Sequence, residues 1–261
     1  MLNIAGECLK QIGSVDRKRY AAFYTAVHET GFDIYELNLN TPYTINSEIA
    51  LRTAGWLRPV GLFSTTLSKI VHTCTPLSFD KSWKHNLKKA HESLLRFEVK
   101  EEMDAPSIRD FVAHHRDLQQ RKGFRESVTE KGLQALTMDA HFKMGVITDA
   151  EGRTLAGCIF YARNHTSVTL YSFSTQEGRE RGAAYMLREG IINYLAQQGI
   201  DTLDLGRLSP ATHEKNNIFL FKDGIGGDYV HYLGEWEYCR RRWMSVMLYF
   251  AKMHIWKRVR V

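Results

Sequence analysis

Three consecutive segments with strand-like composition constrain the fold of this chain most strongly. They span 141–148, 154–163 and 167–174, and they are rich in β-branched and aromatic residues. Turn-forming residues separate them, at 149–152 between the first two and at 164–165 between the last two. Short turns of this kind connect neighbouring antiparallel strands. We therefore expect an antiparallel meander in the middle of the chain.

A glycine-containing segment, a helical pattern and a short strand follow the meander. Residues 176–182 are predicted to form a loop, and apolar residues at helical spacing follow it, among them Leu187, Ile191 and Leu195. A short strand is predicted at 202–205. A meander followed by loop, helix and strand indicates a mixed α/β domain with a central, mostly antiparallel sheet and flanking helices.

Periodic segments on both sides of this pattern predict further elements. Helices are expected at 17–30, 47–56 (with Ser47 as its N-cap), 83–94, 108–118, 128–138, 214–222 and 240–261. Strands are expected at 32–39, within 59–79, and at 95–100 and 229–233. We divide the chain into a short N-terminal α/β region at 1–82, a domain at 83–239 and a basic, apolar C-terminal helix at 240–261.

Composition narrows the class of protein. With 261 residues, 44% of them hydrophobic and 25% charged, the chain can bury a core without disulfides or metals, and it is not disordered, collagenous or a coiled coil. The four cysteines lack zinc-ligand spacing, so no metal site is expected. Neither a signal peptide nor a bilayer-spanning stretch of about 20 apolar residues is evident. We expect a cytoplasmic protein, and its net charge of +6 permits an anionic partner.

The segment 179–184 is the sharpest local motif. Arg179 and Arg181 precede Gly182 and Ala183, where a predicted strand-to-helix connection ends. Small residues let backbone N–H groups approach an anion, and a helix N-terminus favours negative charge. The motif lacks the spacing of a Walker A loop or of a dinucleotide fingerprint. It resembles the R/Q-x-x-G-x-G/A loop of GNAT acyltransferases, which cradles a pyrophosphate; the alternative is a turn of small and charged residues.

Two later segments extend this resemblance to a more specific family. The segment 204–210 reads D-L-G-R-L-S-P, and 221–227 reads F-K-D-G-I-G-G. Together they resemble the Fem family, aminoacyltransferases that build peptidoglycan cross-bridges, and the basic helix from Trp83 resembles another segment of that family. Fem proteins carry two GNAT-like halves. The resemblance therefore implies a GNAT-like domain and a role in cell envelope biogenesis. The region before Trp83 is too short for a complete first half, so here the sequence departs from the family and we expect a truncated N-terminal GNAT-like half.

Lys222 is the strongest catalytic candidate. A lysine near a low-dielectric site can stabilise a carbonyl oxygen as it becomes an oxyanion, and the Fem resemblance implies this role for the lysine of the F-K motif. The alternative is an ordinary solvated lysine. His213 lies near the same motifs and could act as general base, although such a residue is more often a polar surface histidine.

Four further residues are candidates for binding the donor or substrate. Arg207 follows a strand that is expected to end at the carboxyl edge of the sheet, where α/β sheets place ligands, although it could equally form a salt bridge. Ser209 and Phe221 are candidates through the Fem motif. Tyr171 is expected to face the cleft from the last strand of the meander, with core packing as the default.

These features predict an acyltransferase that moves an acyl or aminoacyl group onto an amine. The acceptor would be a small molecule or lipid-linked, and no cofactor is expected to be tightly bound. The sequence leaves three donors open, namely charged tRNA, acyl-CoA and acyl-carrier protein, because each of them presents phosphate. The alternative is a non-catalytic module of the same fold that binds an anionic ligand.

The C-terminal segment 240–261 permits two interpretations. Its apolar run from Trp243 to Trp256 is too short to cross a bilayer. It could pack on the domain as an ordinary helix. Alternatively, with basic residues and Trp near both ends, it could lie in the headgroup layer of a membrane as a peripheral contact on the inner face. Burial of Met247 and Phe250 distinguishes the two.

Overall fold

The structure is a computed structural model that describes residues 2–4, 16–59, 65–123, 128–208 and 217–259. The helices are α1 (Arg17–His28), α2 (Ile45–Thr53), α3 (Lys81–Glu92), α4 (Ala105–Lys122), α5 (Glu130–Leu136), α6 (Gln176–Glu180), α7 (Ala183–Gln197), α8 (Asn217–Asp223) and α9 (Arg242–Val259). The strands are β1 (Leu2–Ile4), β2 (Ile34–Pro42), β3 (Leu67–His72), β4 (Arg96–Lys100), β5 (Phe142–Thr148), β6 (Thr154–Arg163), β7 (Thr166–Ser174), β8 (Thr202–Arg207) and β9 (Asp228–Cys239).

Two compact units make up the chain. The first unit comprises Met1–Ser68, Arg207–Ser209 and Tyr229–Val261, and the second comprises Lys69–Gly206 and Pro210–Asp228. The predicted segments 1–82, 83–239 and 240–261 do not coincide with these units, because β9 and α9 belong with the N-terminal part of the chain.

The second unit is built on the predicted meander, which the structure confirms. Strands β4, β5, β6 and β7 are neighbours in this order and all pair antiparallel, while β8 joins β7 in parallel and β3 lies beside β8. The unit is therefore a mixed α/β fold with a mostly antiparallel sheet. One core cluster includes α7 residues such as Ile191 with Phe160 of β6, and another includes Phe111 of α4 with Ile159 of β6.

Local sequence explains why the helices of this unit begin and end where they do. Asp80 caps α3 by accepting a hydrogen bond from the Trp83 amide, and the buried residues Trp83, Leu87 and Ala90 form the predicted stripe. Asp104 caps α4 in the same way. Gly123 ends α4 in the left-handed conformation, at φ 71°. These caps and stripes are local signals, so the sequence alone predicted both helices.

The first unit packs around aromatic side chains. Tyr24 of α1, Tyr35 of β2 and two tryptophans, Trp56 and Trp236, are each at most 1% exposed and belong to one core cluster. Strand β2 pairs in parallel with β1 and antiparallel with β9. Burying so many large rings gives this small unit a substantial apolar core.

Three sequence expectations are wrong in detail. Residues 176–182 are not all loop, because Thr175 accepts a hydrogen bond from the Gly178 amide and starts the short helix α6. The N-cap of α2 is Thr44 rather than Ser47, whose amide donates to the Thr44 hydroxyl. Strand β9 extends far beyond the predicted 229–233, because its later residues pair with β2.

Helix α9 is fixed to the sheet of the first unit by a buried ion-pair cluster. Lys252 is 9% exposed, and its Nζ lies 2.7 Å from a carboxylate oxygen of Glu36 and 2.8 Å from one of Glu237. Burial alone would lower the pKa of Lys252, but the hydrogen bonds to both carboxylates outweigh it and raise that pKa above its ordinary value. The cluster thus keeps its charges in the folded state.

We predict that Lys252→Met destabilises the protein by about 3–5 kcal/mol, because it leaves two carboxylates without their buried cation. The matched control is Lys88→Met, which removes an exposed ion pair with Glu92 and should cost less than about 1 kcal/mol. Urea unfolding measures both. A Lys252→Met cost no larger than that of the control would show that the cluster does not hold α9.

Candidate functional site

Strands β7 and β8 pair only at their first residues. The parallel ladder joins Thr166–Val168 to Thr202–Asp204 and stops there. The register between β6 and β7 shifts in the same region: Phe160 pairs with Thr169 whereas Ile159 pairs with Tyr171, so β7 carries one extra residue. A bulge bends its strand and interrupts pairing. The carboxyl ends of β7 and β8 therefore do not pair with each other. We call this region the strand opening.

Lys222 of α8 lies at the strand opening. Its Nζ donates a hydrogen bond of 3.2 Å to the carbonyl oxygen of Gly206 near the end of β8. The side chain of Asp204 shapes this strand end by accepting from the Gly206 amide at 2.8 Å. A Cβ built on Gly206 would lie 3.6 Å from the Lys222 Nζ and 3.7 Å from the carbonyl oxygen of Thr169 in β7. The ammonium is thus positioned beside both strands.

The surroundings of Lys222 lower the pKa of its ammonium group. Burial is the largest cause and the guanidinium of Arg188 the second, and together they lower the pKa of Lys222 to about 8. The charge of Asp204 acts in the opposite direction, by favouring the ammonium. A lysine of this kind differs from the solvated lysine that the sequence left as an alternative, because it titrates close to neutral pH.

Arg188 of α7 is a residue that sequence reasoning missed. It is 6% exposed, and neither Nε nor Nη1 has a hydrogen-bond partner among the described residues. It interacts with the buried thiol of Cys158, whose pKa is raised by burial against the opposing effect of Arg188. Cys158 in turn pairs with Ser172, an exposed residue of β7 beyond the bulge. The sequence did contain a signal for Arg188, namely its place within the apolar stripe of the helix α7.

Phe221 helps to hold α8 in position. Its ring contacts those of Trp83 and Tyr185, with centroids 5.1 and 5.0 Å away, and its carbonyl oxygen accepts a 2.6 Å hydrogen bond from the Trp83 indole. Two residues beyond Lys222, a Cβ on Gly224 would collide with a carboxylate oxygen of Asp80. The F-K-x-G run therefore docks α8 against the start of α3 and leaves Lys222 facing the strand opening.

The segment 179–184 lies at a helix N-terminus, as predicted, although its first part is helical. Gly182 is the N-cap of α7 at φ 73°, and Ala183 begins the helix. The first N–H groups of a helix have no acceptor within it, so the start of α7 offers donors to an anion. Arg179 is exposed. Arg181 is engaged by the carbonyl oxygen of Ser93 at 2.6 Å and by Glu177 at 2.9 Å.

The glycine at position 182 is explained by packing between helices. A Cβ there would lie 2.5 Å from the carbonyl oxygen of Asn86 in α3. The left-handed backbone conformation adds a second reason for glycine. Close approach of α7 to α3 thus fixes the position of the α7 N-terminus relative to the sheet of this unit.

We predict that Gly182→Ala costs at least twice as much stability as Gly199→Ala. Gly199 has a similar φ of 70° but open space around a new Cβ, so its substitution isolates the conformational cost of about 1 kcal/mol. Gly182→Ala adds the collision with α3. Unfolding in urea gives both costs, and equal values would refute the packing explanation.

Two of the remaining candidates, Tyr171 and Arg207, have contacts that the structure describes. Tyr171 packs with the α4 core cluster, and its ring lies 6.0 Å from that of His115. Arg207 belongs to the first unit, where it donates to the carbonyl oxygens of Thr66 at 3.1 Å and Leu39 at 3.3 Å. Ser209 and His213 lie outside the described residues. Their assigned roles stay predictions.

Comparison with known proteins places the chain in a family. A family model described as "Acetyltransferase (GNAT) domain" matches residues 78–216, just over half of the sequence. The chain therefore belongs to the GNAT acetyltransferase family. The match contains the meander, the segment 179–184 and the end of β8. No curated protein matches the sequence.

Solved structures show the same fold at low sequence identity. The structure of FemX has a TM-score of 0.74 and 12% identity, with 90% of this chain and 81% of FemX covered. The C-terminal domain of a protein named as a lysylphosphatidylglycerol synthetase, from Agrobacterium fabrum, has a TM-score of 0.59 and 15% identity over 90% of this chain and 76% of that one. L-PGS from Bacillus licheniformis has a TM-score of 0.54, 15% identity, and coverage of 88% and 76%. The Fem-like, GNAT-like fold expected from the sequence is thus confirmed.

Proposed function

We propose that this chain transfers an acyl group, including an aminoacyl group, from a phosphate-bearing donor to an amine acceptor. The observation that carries the proposal is the half-buried ammonium of Lys222 at the strand opening, next to strands β7 and β8, which lie within the residues that match the GNAT family model. The matched family model describes an acetyltransferase domain, and a shielded ammonium beside a strand end suits a developing oxyanion. We therefore favour the enzyme over the binding module.

The transfer follows from the chemistry of the acceptor and of Lys222. The acceptor nitrogen attacks the carbonyl carbon of the thioester or ester, and the carbonyl oxygen becomes an oxyanion. Lys222 donates one N–H to Gly206, and in the proposed reaction its ammonium also donates to that oxyanion. The intermediate collapses by breaking the bond to the leaving sulfur or oxygen, which takes up a proton and departs as the free thiol or hydroxyl of the carrier. The nitrogen loses its proton to a base, for which His213 is our candidate.

The donor is proposed to bind with its phosphates at the N-terminus of α7. The backbone N–H groups of the first turn and the exposed Arg179 are the groups that suit an anion there. CoA, acyl-carrier protein and charged tRNA all present phosphate. The fold shared with FemX and with a protein named as a lysylphosphatidylglycerol synthetase supports an aminoacyl donor, charged tRNA, and a lipid-linked or cell-envelope acceptor. We also propose that the protein is located in the cytoplasm.

We predict that Lys222→Met lowers the rate of donor discharge by about 10²–10³, the usual loss for one oxyanion donor. Purified full-length protein is incubated with aminoacyl-tRNA, acetyl-CoA or acyl-carrier protein and a panel of amines, and release of the free carrier is followed. Lys143→Met is the matched control, because Lys143 is also shielded from solvent but pairs with Glu101. Full activity of Lys222→Met, or equal losses in both variants, would contradict the role of Lys222. Donor binding without discharge by the unaltered protein would support the module instead.

The pH dependence provides a second test of the same role. The oxyanion is stabilised by the protonated lysine, whose pKa is about 8. This contribution is present below that pH and is lost as the pH rises through it, while the acceptor amine becomes more reactive as it deprotonates. We therefore expect a bell-shaped rate profile with a falling limb near pH 8. A rate that continues to rise to pH 10 would instead indicate that neutral Lys222 acts as a base.

A further inference from the structure

The outer face of α9 is apolar and exposed. Trp243, Val246, Met247 and Phe250 are between 55% and 65% exposed and are spaced i, i+3, i+4 and i+7, so they form one stripe along the helix. We call these four residues the α9 stripe. The sequence left open whether this segment packs on the domain or presents an apolar surface. Because Met247 and Phe250 are exposed, α9 presents an apolar surface.

Contacts on the other side of α9 explain why the stripe faces outward. Lys252 points towards Glu36 and Glu237 of the same unit. Trp243 lies nine residues earlier, which at 100° per residue corresponds to a half-turn around the helix. The buried ion pairs thus orient α9 with its stripe directed away from β2 and β9.

The charge of this segment identifies the kind of surface that it would meet. Residues 240–261 contain seven of the chain's 35 Lys and Arg and none of its 29 Asp and Glu. The rest of the chain is left with 28 basic and 29 acidic residues, a net charge of −1. The entire net positive charge of the protein is therefore concentrated in its last 22 residues. Arg240, Arg241 and Arg242 are exposed at the start of this segment.

We propose that α9 docks on an anionic lipid bilayer, with the stripe in the headgroup layer and the arginines on lipid phosphates. An apolar stripe next to a basic cluster is the pattern of helices that lie in a membrane interface. A second copy of this chain fits the segment poorly, because the two segments would bring like charges together. No helix among the described residues is long and apolar enough to span a membrane, so the contact is interfacial. The proposal does not depend on the proposed reaction.

Cosedimentation of the full chain with vesicles tests this proposal. The vesicles are phosphatidylglycerol and phosphatidylcholine at equal amounts, or phosphatidylcholine alone. We expect binding to the anionic vesicles at low salt, weakening as salt rises, and little binding to the neutral ones. Arg241→Gln with Arg242→Gln should weaken binding roughly 30-fold, because each basic residue near an anionic surface strengthens binding about fivefold.

The stripe is tested with matched apolar substitutions. Met247→Gln with Phe250→Gln should reduce binding by more than roughly tenfold, because both side chains would enter the interface. Met138→Gln with Phe23→Gln, which alters two exposed apolar residues elsewhere, should leave binding unchanged. Circular dichroism checks that each variant is folded.

Three results would overturn the proposal. The unaltered protein could fail to bind anionic vesicles, or the Met247→Gln and Phe250→Gln variant could bind as well as the unaltered protein. Light scattering could also show that the chain forms dimers that this variant abolishes, which would assign the stripe to a second copy.

Discussion

The candidate site depends on one constraint, which is that β7 and β8 stop pairing before their carboxyl ends. In a continuous ladder, the carbonyl oxygen of Gly206 would be directed at a neighbouring strand. Because the parallel ladder stops at Val168 and Asp204, the end of β8 is available to α8, and Lys222 donates to Gly206 there. A single extra residue in β7 accompanies the change of register. The site thus arises from an interruption of regular pairing.

The same site concentrates positive charge where water is scarce. Burial and the guanidinium of Arg188 lower the pKa of Lys222, and Asp204 is the acidic group that favours its ammonium. Two nitrogens of the buried Arg188, Nε and Nη1, have no hydrogen-bond partner among the described residues, which is costly for a stable fold. Such a cost is understandable where negative charge develops during a reaction, because fixed donors in a low-dielectric site stabilise it most.

Local signals predicted much of this fold, and long-range contacts account for the differences. The meander follows from turn residues and alternation, and the start of α7 at Ala183 follows from Gly182. Arg207 was expected near the ligand because of its place after β8. Its side chain donates to carbonyl oxygens more than 140 residues away in sequence, contacts that no local pattern reveals, and its ligand-binding role stays a prediction. For Arg188 a local signal existed, its place within the apolar stripe of α7, but its position beside Cys158 and Lys222 depends on three separate elements.

The central claim is that Lys222 sits in an environment that lowers its pKa, and nuclear magnetic resonance tests it directly. The protein is labelled with ¹⁵N in the lysine side chains, and the Lys222 signal is assigned by its absence in Lys222→Arg. The chemical shift of Nζ is then followed as the pH rises. We predict a midpoint of about 8 in the folded protein, and about 10.4 for the same residue in the urea-unfolded chain. A midpoint near 10.5 in the folded protein would show that Lys222 is an ordinary solvated lysine and would contradict the account.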